Sequence, residues 1–331
     1  MIAAEKGEAK YFVLVSDKLS PEGIKVFKEA PGIEVEVRTG LSPEELKACI
    51  GNYHGLAVRS ATKVTAEVIE AATNLKVIGR AGTGVDNVDV EAATKKGIIV
   101  MNTPQGNRVA TAEHTVALML ALCRQIPQAD ASMRAGRWEK TKFMGVELYE
   151  KTLGVIGLGN VGSAVAARAK GLGMKVIGCD PHLSGERARA LGVPLFSLDK
   201  LLSQADFITI HTPLNPQTSG MLGKREIEMM KPGARIINCA RGGLVDEAAL
   251  ISALEEGKVA GAALDVFEQE PVLPDSPLLK LENMVLTPHL GAATKEAQQN
   301  VAVEVANLIV NYLLKGEIVS AVNYPAEAKF R

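Results

Sequence analysis

The chain has 331 residues, 47% of them hydrophobic and 23% charged, with a formal net charge of −1. That length suits two domains, each able to bury its own core. The near-neutral balance excludes a global field for nucleic acid or a membrane surface, so an anionic small substrate needs a local basic cluster.

Short β-rich runs alternate with helical patterns from the start. YFVLVSD (11–17) precedes a helix over PEGIKVFKEA and a strand over IEVEVRT (33–39). SPEELKACIGNY reads as a helix opened by Ser42, with Pro43 at its first position. GLAVRS (55–60), KVIGRAG (76–82) and IIVMNTP (98–104) are further strands, separated by helices TAEVIEAATNL and NVDVEAATKKG. A long helical stretch is expected from about Arg108 to Met133. Its apolar residues Val116, Leu118, Met119, Leu120 and Leu122 are too many for a narrow stripe, which places it between elements or at a subunit interface.

The alternation restarts with TLGVIGLG (152–159), a helix to Gly173 and MKVIGCD (174–180). FITIHTP (207–213), ARIINCA (234–240), AALDVF (262–267) and NMVLTP (283–288) follow. Their continuous apolar runs are those of buried parallel strands. A long helix over about 295–314 returns to the first unit, and the last stretch, NYPAEAKFR, reads as an irregular tail. Two α/β units therefore lie in series, with a boundary near residue 104.

No apolar run approaches the ~20 residues of a membrane span, and the polar opening MIAAEKGEAK lacks a signal-peptide core. Cys49, Cys123, Cys179 and Cys239 are scattered, without Cys-x-x-Cys spacing. A reduced, cytoplasmic setting and no metal site are the expectations.

Gly157-Leu158-Gly159-Asn160-Val161-Gly162 follows an apolar strand and opens a helix, and Asp180 ends the next strand 23 residues after Gly157. This is a dinucleotide fingerprint in its required context. Gly157 permits the tight turn, Gly159 lets backbone approach a pyrophosphate, and Gly162 allows close helix–strand packing. Asp180 can accept from both ribose hydroxyls and would repel a 2′-phosphate, so NAD is favoured over NADP.

Hydride chemistry on a 2-hydroxy acid needs a base, a group that tunes it and a cation for the carboxylate. His289, just past NMVL, is the base candidate, since histidine titrates near neutrality. Glu270, in Phe-Glu-Gln-Glu-Pro, is the partner that would orient the imidazole and favour its charged form. Arg241, leaving RIIN into a Gly-Gly turn, is the carboxylate anchor. Asp265 is placed to accept from a nicotinamide carboxamide. His54, His114 and His182 read as surface or core histidines, His211 as a cleft-lining residue, and Glu268 as a solvated acid.

GLGNVG, HTPL, NCARGGLVDE, AALDVFEQEP and TPHLGAAT stand in the order of the D-isomer-specific 2-hydroxyacid dehydrogenases, and nearly the whole chain resembles that family. The resemblance implies an α/β fold of two doubly wound parallel-sheet domains with the cofactor between them. A Rossmann-type NAD domain over 105–295 would be inserted in a flavodoxin-like substrate domain made of 1–104 and 296–331. It implies Arg241, Glu270 and His289 as the catalytic trio, and NAD contacts at Thr83, Asn160, Val161, Asp180, Thr212, Cys239, Asp265, Gly291 and Ala292.

In VRSATKVT, GRAGTGVDNVD, NTPQGN and WEKTKFMG the chain is similar to the branch that oxidises 3-phosphoglycerate in serine biosynthesis. Arg59 and Ser60 would then reach the phosphate, the turn Gly82-Thr83-Gly84 would offer further donors, and Asn102 would touch substrate. Lys140, on a Trp-containing arm from a neighbouring subunit, stands where relatives carry Arg, which removes a bidentate grip. Asn160 likewise replaces an Arg of many relatives. Longer members continue into regulatory domains, so inhibition through such a domain is not expected here. The stretch Val116–Leu122 and the arm around Trp138 point to a homodimer or homotetramer. Two other readings stay open: a hydroxypyruvate, glyoxylate or D-lactate enzyme acting on an unphosphorylated acid, and an NAD-sensing co-repressor-like protein that binds partners with little turnover.

Overall fold

A computed structural model describes residues 11–325. The polar opening Met1–Lys10 and the end of the tail, 326–331, lie outside the described residues. The chain divides into two compact units, one from the described residues up to Asn107 and from Thr294 onward, the other from Arg108–Ala293.

The first unit is a five-stranded parallel sheet of β1 (Tyr11–Val15), β2 (Ile33–Val37), β3 (Gly55–Val58), β4 (Val77–Arg80) and β5 (Ile99–Asn102), in the order β2-β1-β3-β4-β5. That is the flavodoxin-like order. Helix Pro43–Cys49 opens with a full capping box: the Glu45 N–H donates to Ser42 Oγ at 3.2 Å and the Ser42 N–H to Glu45 Oε2 at 2.8 Å. The C-terminal helix Lys295–Lys315 lies on this sheet, its Val301, Val305, Ala306 and Ile309 joining Val13, Ala57, Val77 and Ile99 in one core. Gly79 permits that approach, because a Cβ there would stand 2.6 Å from Val305 Cγ2. The tail begins in order: Val322 donates to the Val100 carbonyl at 2.9 Å, and buried Asn323 accepts from the Val100 N–H at 2.7 Å. Residues 320–323 are thus pinned to the edge of β5, a pairing that side-chain pattern does not announce.

The second unit holds β6 (Thr152–Ile156), β7 (Lys175–Cys179), β8 (Phe207–Ile210), β9 (Ala234–Asn238), β10 (Val259–Leu264) and β11 (Met284–Leu286). All pair in parallel, in the order β11-β10-β9-β8-β6-β7. A one-residue bridge from Leu195 to Gly178 extends the sheet beyond β7. Counting that bridge as a strand gives the order 3-2-1-4-5-6-7, the dinucleotide-fold order 3-2-1-4-5-6 with β11 added at its far edge.

The helical stretch expected from Arg108 to Met133 is present as two helices, Arg108–Arg124 and Ile126–Arg134. Gln125 breaks it with φ 50°, and Pro127 opens the second piece. Proline lacks the N–H that would continue the ladder and is tolerated only in a first turn. In the first piece Leu118, Met119 and Leu122 are buried while Leu120 is exposed. Helices Gly185–Leu191, Leu198–Gln204, Lys224–Met229 and Glu247–Glu255, not assigned from sequence, fill the crossovers. β10 also starts earlier than read, at Val259, and ends before Asp265.

Candidate active site

The glycine-rich turn follows β6. Gly157 has φ 84°, and a Cβ there would meet the His211 carbonyl oxygen at 2.6 Å. A Cβ on Gly162 would meet the Gly157 carbonyl oxygen at 1.9 Å, so helix Asn160–Gly171 sits directly on the turn. Gly159 is different: a Cβ there would meet nothing within 4 Å, and the residue caps the helix without a side-chain bond. The helix N-terminus thus presents backbone N–H groups beside open space, the condition for receiving a phosphate. Asn160 and Val161 are the first residues of that helix. Asp180 leaves β7 with its carboxylate held by the Leu158 N–H at 2.8 Å and the His182 N–H at 2.9 Å. Both bonds fix its position beside the turn, where further lone pairs suit ribose hydroxyls. These residues fit a dinucleotide.

Thr212 Cγ2 would lie 2.9 Å from a Gly157 Cβ, so the exit of β8 abuts the same turn. His211 beside it makes a 2.9 Å bond between Nε2 and Thr209 Oγ1, and burial pushes its imidazole down to about 3. It is neutral near pH 7. Cys239 is buried at the end of β9, where desolvation pushes its thiol up to about 12. It can pack against a cofactor but supplies no thiolate.

Arg241 is aimed by its own loop. The buried Asn238 side chain accepts from the Ala240 N–H at 3.0 Å and donates to the Arg241 carbonyl at 2.8 Å. Arg241 Nη1 donates to the Ala240 carbonyl at 2.6 Å. Asn238 was not singled out from sequence. Gly242 brings this loop against the next one: a Cβ there would stand 1.7 Å from the Phe267 carbonyl oxygen. Only glycine fits that backbone contact.

The Asp265–Glu270 loop carries the partner acid. Glu270 Oε1 accepts from the Phe267 N–H at 3.1 Å, and Oε2 lies 2.7 Å from His289 Nδ1. The sequence-predicted pair is therefore in hydrogen-bond contact. The carboxylate fixes Nδ1 as the protonated nitrogen, leaving Nε2 to exchange a proton with a ligand. The His289 side chain is half exposed. Glu268 does more than meet solvent: it accepts from the Glu247 N–H at 3.0 Å, while Glu247 accepts from the Glu268 N–H at 2.7 Å. That exchange ties the loop to helix Glu247–Glu255.

His289 has φ 55°, a left-handed conformation that histidine rarely adopts. Buried Asp265 holds its turn. Oδ1 accepts from Thr287 Oγ1 at 2.6 Å and the Leu290 N–H at 2.7 Å, and Oδ2 accepts from the Gly291 N–H at 2.8 Å. His114 Nε2 adds a contact at 3.1 Å to both Asp265 Oδ1 and Thr287 Oγ1. Burial opposes ionisation of Asp265, but the bonds from His114, Thr287 and Leu290 outweigh it and hold the carboxyl below its ordinary value. A carboxamide N–H would have to share an oxygen already in use. His114, read from sequence as bland, belongs to this network, 151 residues away along the chain. Gly291 and Ala292 close the same turn.

The sequence-predicted substrate residues Arg59, Ser60, Gly82, Thr83 and Asn102 lie in the first unit. Buried Asp17, beyond the end of β1, accepts from the Arg59 N–H at 2.6 Å and the Thr62 N–H at 3.2 Å. Asn87 donates to the Arg59 and Thr62 carbonyls, each at 2.7 Å. The loop that carries Arg59 and exposed Ser60 is thus latched on both sides. Arg59 Nη1 donates to the Lys18 carbonyl at 3.3 Å, and its Nε is buried without a hydrogen-bond partner.

Gly82 departs from expectation. Its buried N–H donates to Thr103 Oγ1 at 2.6 Å, so it is not a donor for a ligand. The Asn102 side-chain N–H donates to the Thr83 carbonyl at 2.5 Å, and the Thr83 hydroxyl donates to Asn107 at 2.8 Å. Lys140 is exposed in the irregular segment after helix Ile126–Arg134, near Trp138, which is 81% exposed. Among the described residues no helix is long and apolar enough to cross a membrane, and the four cysteines are free.

The description of the D-isomer specific 2-hydroxyacid dehydrogenase NAD-binding domain matches residues 116–291. A D-3-phosphoglycerate dehydrogenase of Archaeoglobus fulgidus is 54% identical over 95% of this chain and 59% of its own length. The chain spans less than two thirds of the length of such curated relatives. Among solved structures, a glyoxylate reductase from Paecilomyes thermophila superposes with TM-score 0.87 at 31% identity, covering 95% of this chain and 98% of the other. An NAD+-bound 3-phosphoglycerate dehydrogenase of Entamoeba histolytica gives TM-score 0.80 at 29% identity, covering 96% and 100%.

Proposed function

Because the chain belongs to the D-isomer-specific 2-hydroxyacid dehydrogenases, we propose that it oxidises 3-phosphoglycerate to 3-phosphohydroxypyruvate with NAD, in serine biosynthesis. The 2.7 Å contact between His289 Nδ1 and Glu270 Oε2 carries the chemistry of this reading. The 54% identity to a relative of that name favours the phosphorylated acid.

NAD, when bound, supplies the hydride acceptor. His289 Nε2 takes the C2 hydroxyl proton as the C2 hydride leaves. Glu270, bonded at Nδ1, steadies the imidazolium that forms and fixes the ring plane. Arg241 grips the carboxylate and polarises the 2-oxo group of the product. Arg59 and Ser60 take the phosphate, and the buried Arg59 Nε is a donor still to be satisfied. Asn102 and Thr83 hold the turn beside them and Lys140 comes from a second copy. Homodimerisation, or a dimer of dimers, is supported by the apolar groove of Val116, Ala117, Leu120 and Leu172 and by exposed Trp138. The four free cysteines suit a reducing, cytoplasmic compartment.

The test follows NADH absorbance in both directions with 3-phosphoglycerate, phosphohydroxypyruvate, hydroxypyruvate, glyoxylate, pyruvate and 2-oxoglutarate. Preference for the phosphorylated pair is expected. Preference for glyoxylate or another unphosphorylated acid overturns the substrate and keeps the chemistry. NAD binding without turnover of any acid favours an NAD-sensing interaction protein.

A further inference from the structure

We infer that His114 is a positioning residue for the reaction, holding His289 at its working angle through the Asp265–Thr287 pair. The inference rests on His289 acting as proposed above.

A count of protons sets the direction of each bond. Thr287 has one hydroxyl proton, and its oxygen lies 2.6 Å from Asp265 Oδ1. An ionised carboxylate can only accept, so that proton points at Asp265. Thr287 Oγ1 then offers His114 only lone pairs, as does Oδ1. His114 Nε2, 3.1 Å from each, must carry a proton and donate to both. The tautomer follows from the neighbours.

The partners bracket His289. Thr287 precedes it by two residues, and the Leu290 and Gly291 N–H groups that follow it also end on Asp265. Asp265 therefore grips both flanks of a residue whose φ of 55° is disfavoured. Backbone bonds from the Thr287 N–H to the Leu264 carbonyl at 3.0 Å and from the His289 N–H to the Asp265 carbonyl at 2.9 Å seat the turn on the end of β10, and His114 adds a side-chain donor from another element that reaches both Asp265 and Thr287. His114 stands on helix Arg108–Arg124, whose Ala112, Leu118, Met119 and Leu122 are locked in the core. The helix is the fixed support, His114 the bracket, and the 287–291 turn the part carried. Catalytic groups work within narrow geometric limits, and a misplacement of about 1 Å costs about 100-fold. Half-exposed His289 is held by Glu270 at only one atom, so its aim depends on its backbone.

The experiment compares His114→Leu, His114→Gln and His289→Asn with the parent chain, using the acid the parent turns over fastest. Leucine fills the space and donates nothing. Glutamine places an amide N–H close to the position of Nε2. His114→Leu is expected to lower kcat by about 10- to 100-fold with KM for the acid little changed, since Arg241 still anchors the carboxylate. His114→Gln is expected to recover most of the loss. Circular dichroism and NADH fluorescence check that each variant is folded and binds cofactor. A His114→Leu kcat within about twofold of the parent overturns the inference, as does a loss that glutamine does not recover in a folded, NAD-binding variant. If His289→Asn keeps its activity, the underlying mechanism fails as well; if His289→Asn is inactive and His114→Leu is not, only the inference fails.

Discussion

Replacing Gly242 by alanine tests how the site is assembled, because the added atom meets only backbone. A Cβ at Gly242 would lie 1.7 Å from the Phe267 carbonyl oxygen, 2.1 Å from its carbon and 2.8 Å from the Glu268 nitrogen. No side-chain rotation relieves these contacts. The Arg241 loop and the Glu270 loop must separate until the first distance reaches at least 3.0 Å, a shift of more than 1 Å. A displacement of that size is worth about 100-fold in rate, or roughly 3 kcal/mol of barrier. Overpacking adds a stability loss of about 1–3 kcal/mol, which lowers Tm by several degrees in a unit of this size. The assay is NADH production under saturating NAD, with a thermal melt of the same preparation. The glycine-rich turn lies elsewhere in the unit, so NAD affinity should fall less than the rate, through the contacts expected at Cys239 and Asp265 beside the two loops. An alanine variant with parental kcat/KM and Tm would refute the claim that this contact sets the spacing of Arg241 and Glu270.

Arg59→Ala should lower kcat/KM for the phosphorylated acid by about 100-fold, the loss of a charged phosphate contact, and leave an unphosphorylated acid nearly unaffected; equal losses on both would remove Arg59 from substrate choice. Gly159→Ala and Gly162→Ala should part company: the first puts a methyl in open space, so it spares Tm and weakens NAD binding, while the second drives a Cβ to 1.9 Å from the Gly157 carbonyl oxygen and destabilises the fold. Matched melts and NAD titrations decide between these outcomes. Burial keeps His211 neutral down to about pH 3, whereas the unfolded chain binds a proton below about pH 6.5. Its contribution is therefore complete above that value and lost as pH falls, the unfolded state holding the extra proton. His211→Asn should show a smaller Tm drop between pH 7 and pH 5 than the parent, and an identical drop would assign acid sensitivity to other groups.

Much of the site was legible because its chemistry is local. Gly157, Gly159 and Gly162 meet one short turn, and Asp180 ends the next strand, so spacing along the chain reports spacing in space. Glu270 and His289 are 19 residues apart, each just past a strand of one parallel sheet, where side chains from successive strand ends gather. The strands were legible because burial on both faces leaves continuous apolar runs. The helix break at Gln125 was hidden by apolar residues on either side, although Pro127 marked it. The short helices from Gly185 and Leu198 carry little periodicity, and their signal was the capping serines Ser184 and Ser197.

Other features have no local signal. Asp265 read as an open acceptor and proved to be the anchor of the His289 turn, because its bonds come from residues 22 to 26 positions on and from His114, 151 positions back. Gly82 read as a donor and proved spent on Thr103, across two neighbouring strand ends. The sequence by itself determined which chemical groups exist and which strand ends carry them. Tertiary structure decided which groups are already satisfied, since a hydrogen bond acts only within about 3 Å and that distance is set by strand order and packing between segments far apart in the chain.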